Sequence, residues 1–232
     1  MFFISLRAEN LSKIYGAGLL NRGKCVFREV SFEITPGKTF GLIGLSGEGK
    51  STLGRVIAGL EKPTEGTVFY KDNPLSVMKK NEYSDFRRKV QIMFQDPTDA
   101  FNPRKKMGNS VLEMMALLRI PGIEMTKKIK KMLTTISLPE EVLSRYPSQL
   151  SGGQLQRLAL GRILLLEPEY IVLDEPTSSL DVSVQAQILH MLKKVQVEQN
   201  VGYLLISHDE AVIRFMSESW GLLENEKLRI IC

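Results

Sequence analysis

Residues Leu150 to Asp181 constrain this chain more than any other stretch. They read LSGGQ, a run at helical spacing, and then YIVLDEPTSSLD. The apolar segment Tyr170 to Leu173 predicts a buried parallel strand, the kind that is covered on both faces. It runs into Asp174 and Glu175, where one carboxylate can organise a metal ion and its neighbour can activate a water. Gly152-Gly153, just ahead of a helix, leaves backbone N–H groups free at the positive end of a helix dipole, a place where an anion docks. These are the parts of a nucleotide hydrolase with a second phosphate contact.

A second stretch supplies the first contact. Thr39 to Ile43 predicts a strand, and it runs into GLSGEGKST. Gly44 to Ser51 fits G-x-x-x-x-G-K-[ST] between a strand and a helix, the context that the pattern requires. The backbone of Gly44, Leu45, Ser46, Gly47, Glu48 and Gly49 can curl its N–H groups around phosphates. Lys50 can bridge the outer phosphates and Ser51 is placed to ligate Mg²⁺, with Thr52 completing the ATP contacts. Glu48 is unusual there: a carboxylate should repel a polyphosphate, so its side chain is expected to point outward to water. The helix that follows places Leu53, Val56, Ile57 and Leu60 on one face.

In this order, GLSGEGKST, LSGGQ and YIVLDEP resemble the nucleotide-binding domain of ATP-binding cassette (ABC) proteins over essentially the whole chain. Asp96 to Arg104, DPTDAFNPR, and the long loop after Tyr15 resemble the ATPases of oligopeptide, dipeptide and nickel importers in particular. The implied fold is α/β: an ABC-type P-loop NTPase with a mainly parallel sheet, an antiparallel β subdomain and an α-helical subdomain. The whole of 1–232 is then one ATP-binding domain, with Met107 to Gln149 as the helical insertion.

The resemblance also implies roles. Tyr15 would stack on adenine, Gln95 would join Ser51 and Asp174 around Mg²⁺, and Glu175 would act as general base. His208, in ISHD, would be the switch histidine near the γ-phosphate, catalytic together with Glu175 and Lys50. Ser151, Gly152, Gly153 and Gln154 would clamp the ATP of a partner subunit, and Asp181 would lie in the D-loop that touches that partner. Two ATPase subunits would meet head to tail, as homo- or heterodimer, on two membrane permeases fed by an extracytoplasmic binding protein. The implied work is ATP-driven import of a peptide or a nickel or other metal complex, at the cytoplasmic face of the membrane. The competing class, a soluble ABC ATPase acting on nucleic acid or the ribosome, usually has long coiled coils or two cassettes in one chain. Neither is present, so no nucleic-acid partner is expected.

Composition agrees with this class. A chain of 232 residues, 43% hydrophobic and 25% charged, can bury a real core and describes a globular protein. No apolar run has the length of a membrane helix, and MFFISLRAEN lacks the basic start of a signal peptide. Cys25 and Cys232 form no disulfide framework, which suits a reducing compartment. The net charge of +5 is spread along the chain and reads as solvated surface.

The remaining expectations concern elements. Leu6–Ile14 and Val26–Ile34 alternate as half-buried antiparallel strands joined by a loop. A helix is expected over Ser76–Lys89, and a strand through VQIMF up to Gln95. Further helices are expected at Gln154–Leu166, from Val184, and at Asp209–Ser217, with a strand at Tyr203–Ile206 and a strand pair around Trp220–Ile231. His190 is expected to be an ordinary surface histidine. Met107, Met114, Met115, Met125 and Met132 could either line a groove for a permease helix or fill a small core. Importer ATPases of this kind usually continue well past this point, whereas this sequence stops at Cys232, so a regulatory or substrate-linked C-terminal extension is expected to be absent.

Overall fold

The computed structural model describes residues 5–18 and 21–231. Two sheets and seven α-helices make up the described chain. The first sheet is antiparallel, in the order β2 (Asn21–Ile34), β1 (Leu6–Gly18), β4 (Glu65–Tyr70) and β5 (Asn73–Pro74). The second has the order β10 (Lys227–Ile230), β9 (Ser219–Glu224), β3 (Thr39–Ile43), β8 (Gly202–Ile206), β7 (Tyr170–Asp174) and β6 (Val90–Met93). It is parallel throughout except for β10, which pairs antiparallel at the edge.

Alternation along the central strands divides the core between the two faces of this sheet. Tyr170, Val172, Leu204 and Ile206 join the apolar cluster that also holds Leu53, Val56 and Ile57 of α1 (Lys50–Ile57) and the inner face of the first sheet. Ile171, Leu173, Tyr203 and Leu205 turn the other way. They meet α5 (Gly152–Leu164), α6 (Val182–Gln199) and α7 (Glu210–Met216) through Leu158, Leu192 and Ile213. With both faces covered, β7 and β8 are buried at every residue, which is why they are continuously apolar in sequence. Each such Leu or Ile side chain contributes about 1.5–3 kcal/mol relative to exposure.

Between β6 and α5 lie a 3₁₀ turn at Pro97–Ala100, then α3 (Met107–Leu117), α4 (Gly122–Thr135) and two more short 3₁₀ turns at Glu140–Ser144 and Pro147–Gln149. The segment closes on itself where the Met107 N–H donates to the Arg145 carbonyl at 2.9 Å. Met107, Met115 and Met132 are buried in its core, and Met114 and Met125 are half-buried against the same cluster. The methionines therefore divide, mostly toward core filling.

Several boundaries depart from the sequence reading. The first two strands run on past Ile14 and begin before Val26, with Tyr15 opposite Lys24 and Gly18 opposite Asn21; Leu19 and Leu20 lie outside the described residues. Cross-strand pairing overrides the turn-like composition of that loop. Leu60 lies beyond the end of α1 and is exposed, because Gly59 at φ 66° takes the chain out of the helix. The helix expected from Ser76 begins only at Lys80, as α2 (Lys80–Lys89). There the Glu82 carboxylate accepts the Lys79 N–H and starts the helix. β6 ends at Met93, so Gln95 stands two residues past its strand. His190 is exposed, with its ring edge-on to Phe215.

Candidate active site

In a parallel sheet all strands deliver their carboxyl ends to one edge, and ligands bind there. Here Ile206 of β8 pairs with Leu42 of β3 on one side and with Asp174 of β7 on the other, so three strand ends lie level. The loop after β3 is Gly44–Gly49, the residue after β7 is Glu175, and Ser207-His208 follows β8. One cavity of about 820 Å³ opens over these ends, lined by Tyr15, Leu45 through Thr52, Gln95, Glu175 and His208.

The loop's shape follows from its glycines. Gly49 has φ 92°, and a Cβ there would lie 2.3 Å from Val26 Cγ1, so no other residue fits both the conformation and the space. Gly49 is also the N-cap of α1, and no side chain caps that helix. The first N–H groups of α1 are therefore left to an anion.

Lys50 is buried at 7% exposure and folds back so that its Nζ donates to the carbonyls of Gly44 at 2.7 Å and Leu45 at 2.8 Å. Burial lowers its pKa, and the carboxylates of Glu175, Asp174 and Glu48 oppose that shift. Glu48 is half-buried and is among the residues that line the same cavity.

Asp174, 5% exposed, accepts the Ser51 hydroxyl at 3.0 Å. Burial raises its pKa, the Ser51 hydrogen bond opposes this, and the neighbouring Glu175 charge adds to it. Glu175 occupies a left-handed conformation, φ 50°, and its N–H donates to the Ile206 carbonyl at 3.0 Å. That locks the carboxylate toward β8, where it accepts the His208 N–H at 3.0 Å and lies 2.9 and 3.0 Å from His208 Nδ1. Gln95 reaches the same turn, its Nε2 donating to Ser178 Oγ at 3.4 Å.

Ser51, Asp174 and Gln95 offer a hydroxyl, a carboxylate and an amide oxygen, all hard donors of the kind magnesium takes. The buried Asp174 carboxylate has a hydroxyl as its hydrogen-bond partner, so a bound divalent cation would relieve the burial that raises its pKa. Among the described residues no cluster of three or more His, Cys, Asp or Glu forms a cage. Few protein ligands with phosphate oxygens completing the shell is magnesium's usual arrangement.

The residues that the resemblance assigns to a partner subunit lie outside this cavity. Ser151, Gly152, Gly153, Gln154 and Asp181 line no part of it. Ser151 caps α5: its Oγ accepts the Gln154 N–H at 3.3 Å while the Gln154 side chain accepts the Ser151 N–H at 3.0 Å. Asp181 caps α6 in the same way, accepting the Val184 N–H at 3.0 Å. Ser151 and Gly152 are exposed, so their surface is open to another molecule. Gln156 of α5 donates to the Pro176 carbonyl at 2.6 Å, tying that helix to the turn that carries Glu175.

Lys24, Cys25, Val26 and Glu226 also line the cavity and were not foreseen. Lys24 and Cys25 arrive because β2 begins earlier than its alternation shows, and Val26 follows them on the same strand. Glu226 sits in the β9–β10 turn and accepts a hydrogen bond from Arg28, a placement that no local pattern encodes.

Comparison with known proteins gives a consistent result. The family model described as ABC transporter matches residues 27–178. The putative oligopeptide transport ATP-binding protein YkfD of Bacillus subtilis is 40% identical over 220 residues, covering 94% of this chain and 67% of that protein. The oligopeptide transport ATP-binding protein OppF of Streptococcus mutans is 35% identical, covering 96% of this chain and 73% of its own. Among solved structures, a dimeric post-hydrolysis state of the ATP-binding cassette MJ0796 bound to ADP and Pi superposes with TM-score 0.84 at 30% identity, covering 97% of both chains.

Proposed function

Because the chain belongs to the ABC transporter family of ATPases, we propose that it is the ATP-hydrolysing subunit of an importer whose cargo is an oligopeptide. The observation that carries this reading is the convergence of Lys50, Ser51, Asp174, Glu175 and His208 at three level strand ends. Peptide cargo rests on what the relatives are named for. Uptake of nickel or another metal complex is the alternative to be separated by experiment.

Each side chain has work that its position suits. The N–H groups of Gly47 to Ser51 and the desolvated Lys50 ammonium hold the phosphates, and Tyr15 takes the base. Ser51, Asp174 and Gln95 would hold Mg²⁺, which would neutralise charge on the phosphate oxygens. Glu175 is fixed by its backbone and by His208, so it can accept a proton from a water held in line with the terminal phosphate. His208 is 64% exposed at its side chain, open to the phosphate on the cavity side. Ser151 to Gln154 line no part of their own cavity, and Ser151 and Gly152 are exposed, which supports a role in completing the site of a second ATPase subunit.

The membrane side of the reading rests on a second hollow, of about 220 Å³, between the residues after β6, α3 and α5. Ile92, Phe94, Pro97, Ala100, Met114 and Ile163 make its apolar lining, with Gln91, Asp96, Asp99 and Arg162 also on its wall, and it adjoins Gln95 and the segment 107–149, which we take as the helical subdomain. An apolar hollow of this kind suits a short helix from a permease. No helix among the described residues is long and apolar enough to cross a membrane, so the membrane path would come from partners.

The deciding experiment is a pull-down of tagged Glu175→Gln protein with ATP from gently solubilised cells, with partners identified by mass spectrometry. Two polytopic permeases with a peptide-binding protein support the proposal. A metal-binding protein in that place supports the nickel alternative, and recovery of ribosomes or nucleic acid without membrane proteins overturns both.

A further inference from the structure

Behind Tyr15 lies a set of charged residues that the reaction does not use. Tyr15 Oη donates to Glu61 Oε2 at 2.5 Å, and Arg55 Nε donates to the other oxygen of the same carboxylate at 2.5 Å. Arg55 then reaches back to the phosphate loop, its Nη2 donating to Thr52 Oγ1 at 3.0 Å. Lys13 Nζ lies 3.6 Å from Glu61, donates to the Lys62 carbonyl at 2.8 Å and sits 4.8 Å from the centre of the Tyr15 ring. The backbone closes the arrangement: the Ile14 N–H donates to Thr64 Oγ1 at 3.0 Å and the Thr64 N–H to the Ser12 carbonyl at 2.8 Å. The turn between α1 and β4 thus grips the end of β1 that carries Tyr15.

We propose that Glu61, braced by Arg55 and Lys13, is a positioning residue that holds the Tyr15 ring ready for the base and thereby sets the affinity for the base half of the nucleotide. This rests on the ATP-binding reading above. Tyr15 is 41% exposed, so without an anchor its ring would sample several rotamers and ordering it would weaken binding. A phenol donating to a carboxylate is a charge-assisted bond, among the stronger anchors available to a surface tyrosine. Lys13 adds direction. A cation over one face of a ring occupies that face. Tyr15 lines the cavity and Lys13 does not, so the base would take the face that Lys13 leaves open. Burial would raise the Glu61 pKa, but the hydrogen bonds from Tyr15 and Arg55 outweigh it and hold the carboxyl below its ordinary value, ionised at neutral pH.

The test compares ATP with inorganic tripolyphosphate, which carries phosphates and no base. Binding is measured by calorimetry on the full chain, and turnover by phosphate release. Glu61→Ala should weaken ATP about threefold to tenfold, raise KM by the same factor with kcat little changed, and leave tripolyphosphate affinity as it was. Tyr15→Phe keeps the ring and loses only the anchor, so it should reproduce the effect. Combining the two should cost no more than either alone. Glu61→Gln retains an acceptor for the phenol and should recover most of the affinity. These milder variants decide the matter if Glu61→Ala does not fold. An equal loss of ATP and tripolyphosphate would overturn the clamp, since Glu61 would then act through Arg55 on the phosphate loop, and so would no loss at all. Wild-type protein that binds neither ligand would overturn the ATP-binding reading, and the clamp with it.

Discussion

Lys50 and Glu48 show how charge is arranged at the scale of single residues. The ammonium is buried, bonded to two carbonyls and faced by three carboxylates, an arrangement that gains when a polyphosphate arrives. Glu48 opposes that gain, because it lines the cavity and its charge repels the same ligand. Glu48→Ala should therefore tighten ATP about twofold to fivefold in a calorimetric titration, a small effect because the residue is half in water. Glu175→Gln preserves shape and an acceptor for the His208 N–H while removing the base. It should bind ATP near normally and lose at least about a hundredfold in kcat, read by phosphate release. Near-normal turnover would remove Glu175 from that role.

Elements decide how closely these residues approach. Gly153, in the first turn of α5, has no room for a side chain: a Cβ there would lie 2.5 Å from Val184 Cγ1 on α6. Gly153→Ala should cost about 1–3 kcal/mol of stability in urea unfolding, since one helix must shift against the other. Trimming the obstacle with Val184→Ala should recover part of that loss, and the double-mutant cycle measures how much of it is this contact. Because Gln156 of the same helix holds the Pro176 carbonyl, movement of α5 should also be felt at the Glu175 turn.

At the scale of the molecule, the exposed Ser151 and Gly152 line no part of the cavity of their own chain, which calls for a second ATPase subunit in the proposed mechanism. Glu175→Gln protein in ATP and Mg²⁺ should elute as a dimer, with itself or with a second ATPase, and return to the monomer position in ADP, followed by size-exclusion chromatography with light scattering. The hollow beside Gln95 gives a separate expectation. Met114→Glu places a charge in the apolar part of that lining and should abolish co-purification of the permeases while ATP binding by the isolated subunit is unchanged. Loss of ATP binding in that variant would mean that the substitution disturbs the cavity as well.

Local patterns determined a large part of this protein by themselves. Gly44–Ser51 specifies its own loop because glycine conformations and amide spacing are local properties, and Tyr170–Asp174 announces a doubly buried strand because both its faces must be apolar. The start of α2 and the true length of β1 and β2 were not legible, since a side-chain cap and cross-strand pairing override local composition. Only tertiary structure could bring Ser51 to Asp174, 123 residues away, and Glu175 to His208. It also put Glu226 on the cavity wall. The reason is physical: a phosphate loop is held by bonds within a few residues, whereas the site around it forms where level strands from distant parts of the chain end together, and that register is fixed by packing.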